Sequence, residues 1–113
     1  MAISNALASV AVANLAASRA FYERLFGRPP DRQPMANVLE WKFEGGGELQ
    51  VYELADRASR GSATFVVTNI EEQRAKLKEI AANTPEIMES GRIRVVMIKD
   101  PDGNSLAFAE SRP

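Results

Sequence analysis

The sequence predicts an α+β fold made of two copies of one βαβββ unit, and three observations carry that prediction. The chain echoes itself, each echo opens with a strand followed by Asn and a helix, and each closes on a glycine turn before a final strand. Residues 9–26, SVAVANLAASRAFYERLF, match residues 64–81, TFVVTNIEEQRAKLKEIA. At an offset of 55, Val12 meets Val67, Asn14 meets Asn69, Arg19 meets Arg74 and Ala20 meets Ala75. At an offset of 57, Leu49-Gln50-Val51-Tyr52-Glu53 meets Leu106-Ala107-Phe108-Ala109-Glu110. Repetition of element order as well as residues reads as one supersecondary unit used twice.

Each unit is expected to begin with a strand of mixed parity. Ala8, Val10 and Val12 alternate with Leu7, Ser9 and Ala11; Ala63, Phe65 and Val67 alternate with Ser62, Thr64 and Val66. The larger apolar set should lie under a helix and the smaller, more polar set on the opposite face. Asn14 and Asn69 occupy helix N-cap positions. The first helix should run over 15–26, with Ala17, Phe21 and Leu25 inward and Gly27 as its stop. The second should run over 70–82, with Glu71 and Glu72 at its start and Lys76 and Lys78 further along, as the helix dipole favours.

Strands are then expected at 38–43 and 48–53, joined by the flexible Glu44-Gly45-Gly46-Gly47. In the second unit a β-branched strand over 92–99 leads to Asp100-Pro101-Asp102-Gly103. Pro101 presets the backbone of that turn and Gly103 tolerates the positive φ that closes it. The segment 54–61 reads as the connection. The whole is one domain, 1–113, with modules at about 5–54 and 61–111.

Composition narrows function. The 113 residues suffice for one core. The net charge is −1 and no basic stripe is visible, so neither nucleic acid nor an anionic membrane is an expected partner. No apolar run approaches the ~20 residues of a membrane helix, and the first ten residues lack the pattern of a signal peptide. A cytoplasmic location is therefore expected. Cysteine and histidine are both absent. That removes thiolate and imidazole as metal ligands or acid–base groups, and leaves only oxygen donors suited to hard ions.

Val12-Ala13-Asn14-Leu15 leading into Ser18-Arg19-Ala20-Phe21-Tyr22 and Leu25-Phe26-Gly27, with Asp100-Pro101-Asp102-Gly103-Asn104 before the last strand, resembles the vicinal oxygen chelate superfamily. That superfamily includes glyoxalase I, bleomycin resistance proteins and extradiol dioxygenases. The resemblance spans nearly the whole chain. It implies that the modules form one cupped mixed sheet with helices outside, and that the protein is a homodimer. It also implies metal-ligand positions at Leu7, about Gln50, Ser62 and Ala107. Leu7 and Ala107 have no donor atom, Ser62 is a weak ligand, and Gln50 offers one neutral oxygen. A divalent ion needs roughly four to six donors with some negative charge. This chain is therefore expected to be a metal-ligand-poor member with no cofactor.

The expected function is non-catalytic binding of an unidentified small organic molecule, similar to the bleomycin resistance branch. The alternative is a glyoxalase- or dioxygenase-type enzyme, a lyase or oxidoreductase, using a divalent metal or an acid–base carboxylate. Parity places Ser9, Ala11, Gln50, Tyr52, Ser62, Thr64, Ser105 and Ala107 on the inner face. Of these Ser9, Gln50, Tyr52, Ser62, Thr64 and Ser105 are candidate ligand contacts, since small residues leave room and hydroxyls and amides orient a ligand. Trp41 is read as core or dimer interface, or as a stacking platform for a planar ligand, and joins the candidates on the last ground. Tyr22 is read as packing, with a catalytic phenol as the sharper alternative. Glu40, Glu48 and Glu53 are strand-end charges or, if buried, a general base. Arg92 and Arg94 form a solvated edge or an anion clamp.

Overall fold

In the computed structural model, which describes residues 2–111, strands and helices follow the predicted repeat. Met1 and the last two residues of the expected domain lie outside the described residues. The order is β1 (Leu7–Val12), α1 (Leu15–Phe26), β2 (Arg32–Met35), β3 (Val38–Lys42), β4 (Glu48–Glu53), β5 (Ser62–Val66), α2 (Ile70–Lys78), β6 (Met88–Ser90), β7 (Ile93–Lys99) and β8 (Ser105–Ser111). A single 3-10 turn at Ala55–Arg57 lies in the connection. The strands form two four-stranded mixed sheets, β1-β4-β3-β2 and β5-β8-β7-β6. In each, the outer strand before the helix pairs parallel with the module's last strand. The expected continuous sheet is thus divided by a seam, where β1 and β5 are neighbours without forming a ladder.

Both helices start as the sequence implies. Asn14 Oδ1 accepts from the Ala17 amide at 3.0 Å, and Asn69 Oδ1 from the Glu72 amide at 3.1 Å. Each cap contributes about 1 kcal/mol. The repeat adds a second device that sequence reading missed. Glu53, at the end of β4, accepts from the Leu15 amide, and Glu110, on β8, accepts from the Ile70 amide, each at 2.8 Å. Each carboxylate satisfies an orphan donor at the positive end of a helix.

α1 ends at Gly27, whose φ of 73° favours glycine, as expected. α2 stops at Lys78 instead of residue 82. The amides of Glu79 and Ile80 tighten to three-residue bonds, and the Arg24 guanidinium takes the Glu79 carbonyl at 2.8 Å. A cation from the other module thus claims the acceptor that a further turn would use. The short edge strands β2 and β6 also escaped sequence reading, being fully exposed and, in β2, broken by Pro34.

The core lies between the helices and one face of each sheet: Val10, Val12, Leu39, Trp41, Leu49 and Val51 in one module, Ala63, Ile70, Leu77, Val96, Ile98, Leu106 and Phe108 in the other. The helical face of α1 is rotated from expectation. Ser18 and Tyr22 are buried and Ala17 is exposed. The reason is that α1 faces two partners, its own sheet and the β7–β8 turn of the second module.

Candidate functional site

The face of the sheets away from the helices carries the candidate residues, as the alternation of side chains requires. Register aligns Ser9 with Gln50, Ala11 with Tyr52, Ser62 with Ser105 and Thr64 with Ala107. In the first module Ser9, Gln50, Glu40 and Arg32 are successive partners across all four strands. Their side chains join into one row. Ser9 Oγ donates to Gln50 Oε1 at 3.1 Å, Gln50 Nε2 donates to Glu40 Oε2 at 2.7 Å, and Arg32 Nε donates to Glu40 Oε1 at 3.0 Å. Arg32 also pairs with Glu48.

Glu40 is only 6 % exposed. A carboxylate so buried is tolerated because both oxygens are occupied and a guanidinium stands beside it. Arg32 holds Oε1 and Gln50 holds Oε2, so Glu40 is fixed within the sheet face by its partners. Glu53 is committed to the α1 N-terminus.

The corresponding face of the second module is different. Ser62, Thr64, Ser105 and Ala107 make its floor, and Lys99 Nζ donates to Ser105 Oγ at 2.8 Å. Around that floor Val66, Met88, Ile93 and Met97 are exposed, Val66 by 84 %. The first module's half of the helix-free surface thus carries a hydrogen-bonded polar row with Leu7 and Met35 exposed beside it, and the exposed side chains of the second half are mostly apolar, with Lys99 among them.

Two candidates are displaced from this face. Trp41 is fully buried on the helix side, against Tyr22 and Phe26 at ring-centroid distances of 6.0 and 5.3 Å, with its indole N–H donated to the Arg28 carbonyl. It belongs to the core and is not a stacking platform, because β3 parity places it with Leu39. Arg94 is likewise turned to the helix side, where it pairs with Glu71, Glu89 and Glu110 and ties α2 to β6 and β8. Hydrogen bonding to Glu71 holds its proton still more firmly than usual.

Tyr22 is no catalytic phenol. Its hydroxyl donates to Asp100 Oδ2 at 2.7 Å inside the core. Burial above all, and then the Asp100 charge, push its pKa far above the ordinary tyrosine value. Asp100 and Asn104 complete a junction between the modules that the sequence reading took for a turn alone. Asn104 Nδ2 donates to the Ala11 carbonyl and to Asp100 Oδ2, and Asn104 Oδ1 accepts from the Gly61 amide, all at 2.8 Å.

The four positions where the resemblance expects metal ligands do not suit a metal. Leu7 and Ala107 present hydrocarbon, and both ends of the Gln50 amide are engaged by Ser9 and Glu40. Among the described residues, no three Asp or Glu side chains come together as a metal cluster.

A hollow lies in the seam, between the start of β1 and the end of β5. Its volume is about 1130 Å³, and Phe26, Phe43, Phe65 and Phe108 contribute to its walls. Of the predicted ligand residues, Thr64 alone borders it.

No protein-family model matches the chain, and no curated protein does. Solved structures do. A glyoxalase / bleomycin resistance protein from Catenulispora acidiphila superposes with a TM-score of 0.82 at 28 % identity, over 94 % of this chain and 96 % of that one. A bleomycin-binding protein from Streptomyces verticillus, complexed with copper(II)-bleomycin, gives 0.78 at 16 % identity over 100 % and 98 %. A lactoylglutathione lyase from Agrobacterium tumefaciens gives 0.76 at 18 % over 95 % and 92 %. The latter two likenesses speak to fold alone. Among the described residues no helix is long and apolar enough to cross a membrane.

Proposed function

From the chain's membership of the vicinal oxygen chelate superfamily, we propose that it binds a small organic molecule on the helix-free face, without metal-dependent catalysis. The observation that carries this reading is the polar row on the first module's half of that face, set beside a second half whose exposed side chains are mostly apolar. The row from Ser9 through Gln50 and Glu40 to Arg32 offers fixed dipoles and a half-exposed guanidinium that can orient a polar head group. Ser62, Thr64, Ser105 and Ala107 leave space, and Val66, Ile93 and Met97 supply apolar area for the body of the molecule. Capture of this kind needs no bond-making group, and Glu40 serves it by holding Gln50 and Arg32 in place.

The same exposed apolar residues support a homodimer, since a second copy laid over them would remove them from water and enclose the site. The bleomycin-binding neighbour lends the reading its first probe. Copper(II)-bleomycin and a panel of amphiphilic aromatic compounds would be titrated by calorimetry and thermal melting. Saturable stabilisation, about 2.7 kcal/mol at a hundredfold excess over Kd, should weaken in Arg32→Ala and Gln50→Leu. A near-stoichiometric divalent metal that survives dialysis, and whose chelation lowers Tm, would overturn the reading.

A further inference from the structure

The duplication creates two seams between the modules, and they would be alike if the halves were alike. Register makes Trp41 the counterpart of Ile98, each facing the equivalent leucine, Leu49 or Leu106. The turns that follow are the same turn. Phe43 N donates to the Gly47 carbonyl as Asp100 N does to that of Asn104, and Gly46 and Gly103 share a φ of 97°. Phe43 thus stands for Asp100 and Gly47 for Asn104. On the helices, Leu77 stands for Tyr22.

At the first seam Tyr22, Asp100 and Asn104 close the gap with hydrogen bonds. At the second seam the equivalents are a leucine, a phenylalanine and a glycine, none of which can bridge. That is where the hollow opens. A Cβ placed on Gly47 would meet nothing within 4 Å. Three half-buried rings stand edge to face at its wall: Phe26 with Phe43 at 5.3 Å, Phe26 with Phe65 at 5.5 Å, and Phe43 with Phe65 at 5.8 Å. Of the charged residues lining it, Arg28 is paired with Asp31 and Glu48 with Arg32. That leaves Lys42 and Lys76 against Glu44. Lys76 reaches Glu72 only at 4.0 Å, with both side chains 65 % exposed, a pairing easily given up.

We propose that this open seam is a second binding site, distinct from the helix-free face, for a planar aromatic molecule bearing one anionic group. The aromatic body would lie against the Phe26, Phe43 and Phe65 rings, in the offset or edge geometry such rings favour. The anion would take the surplus positive charge of Lys42 and Lys76. The hollow is large enough for the whole of such a molecule, slightly exceeding the roughly 300–1,000 Å³ of common ligand sites.

The probe is 8-anilinonaphthalene-1-sulfonate, followed by its fluorescence with the full chain at low salt. Saturable binding of one dye per chain is expected. Gly47→Trp, which fills the hollow at a backbone position free of positive φ, should weaken it about tenfold, or 1.4 kcal/mol. The double variant Lys42→Ala, Lys76→Ala, at positions where folding is not at stake, should weaken it several-fold, and the corresponding arginine pair should restore it. Binding that is absent, or indifferent to both changes, would overturn the proposal. So would loss on Gln50→Leu with Gly47→Trp intact, which would put the dye on the helix-free face. A chain that is dimeric as wild type and monomeric as Gly47→Trp would overturn it too, by making the seam a contact between copies.

Discussion

Truncating Asn104 to alanine should loosen the two modules from each other. The side chain is fully buried and makes three hydrogen bonds of 2.8 Å. Two of them, to the Ala11 carbonyl and from the Gly61 amide, hold the β7–β8 turn to β1 and to the start of β5. A hydrogen bond is worth about 1 kcal/mol net, and a buried group left without a partner costs 1–3 kcal/mol. The Ala11 carbonyl is left buried by the change, since Ala11 itself is only 4 % exposed. The loss should therefore be about 3 kcal/mol. At this chain length about 4 °C of Tm accompanies each kcal/mol, so Tm should fall by about 12 °C. Calorimetry gives Tm, and urea unfolding gives the free energy with the slope as a check on cooperativity. A loss below about 1 kcal/mol, in a single transition of unchanged slope, would refute the claim that this side chain joins the modules.

Other predictions concern the same contacts. Tyr22 has a pKa raised above its unfolded value, so its contribution is complete below about pH 10 and is lost as the pH climbs beyond it. Tyr22→Phe should therefore flatten the decline of urea stability between pH 10 and 11.5, and parallel curves would refute this. Asp31 has its pKa lowered, first by the Lys42 amide and then by Arg28. Its contribution is present above about pH 4 and is lost as the pH falls, so Asp31→Asn should flatten the acid limb of stability. Gly47→Asn places at the open seam the residue that closes the other one. Restricting the unfolded chain alone should add about 0.5–1 kcal/mol, and a lower Tm would show that the turn needs glycine there.

Much of the fold was legible because its signals are local. Alternation in residues 7–12 and 62–66, Asn14 and Asn69 as caps, and Gly27 as a stop each act through a few neighbouring residues, and each stands where expected. What escaped depends on distance. Residues 32–35 and 88–90 become strands only because β3 and β7 offer an edge to pair with. The inward face of α1 is set by a turn 78 residues away, where Tyr22 meets Asp100, and no periodicity within 15–26 encodes that. The candidate face was readable as a parity class, so Ser9, Gln50, Tyr52, Ser62, Thr64 and Ser105 share it. Parity could also have excluded Trp41, which alternates with Glu40 and so shares the core side with Leu39. The row through Glu40 to Arg32 was not readable, because strand order and register, not sequence spacing, bring those residues side by side.

The pattern of what the two halves share, and what they do not, separates scaffold from specialisation. The capping asparagines, the glutamates at the helix N-termini and the positive-φ glycines of the turns recur in both modules. Each serves the unit itself, so each is needed twice. The helix-free faces diverge, one carrying Arg32, Glu40 and Gln50 and the other Val66, Ile93 and Met97. The seams diverge as well, one hydrogen-bonded and the other hollow. Nothing in the stability of a single βαβββ unit calls for those differences. A symmetric pair of modules would present a symmetric surface, whereas a small organic molecule with a polar and an apolar end requires unlike walls. Divergence at the surfaces the units turn toward each other and away from their helices is what asymmetric recognition would demand of a duplicated scaffold.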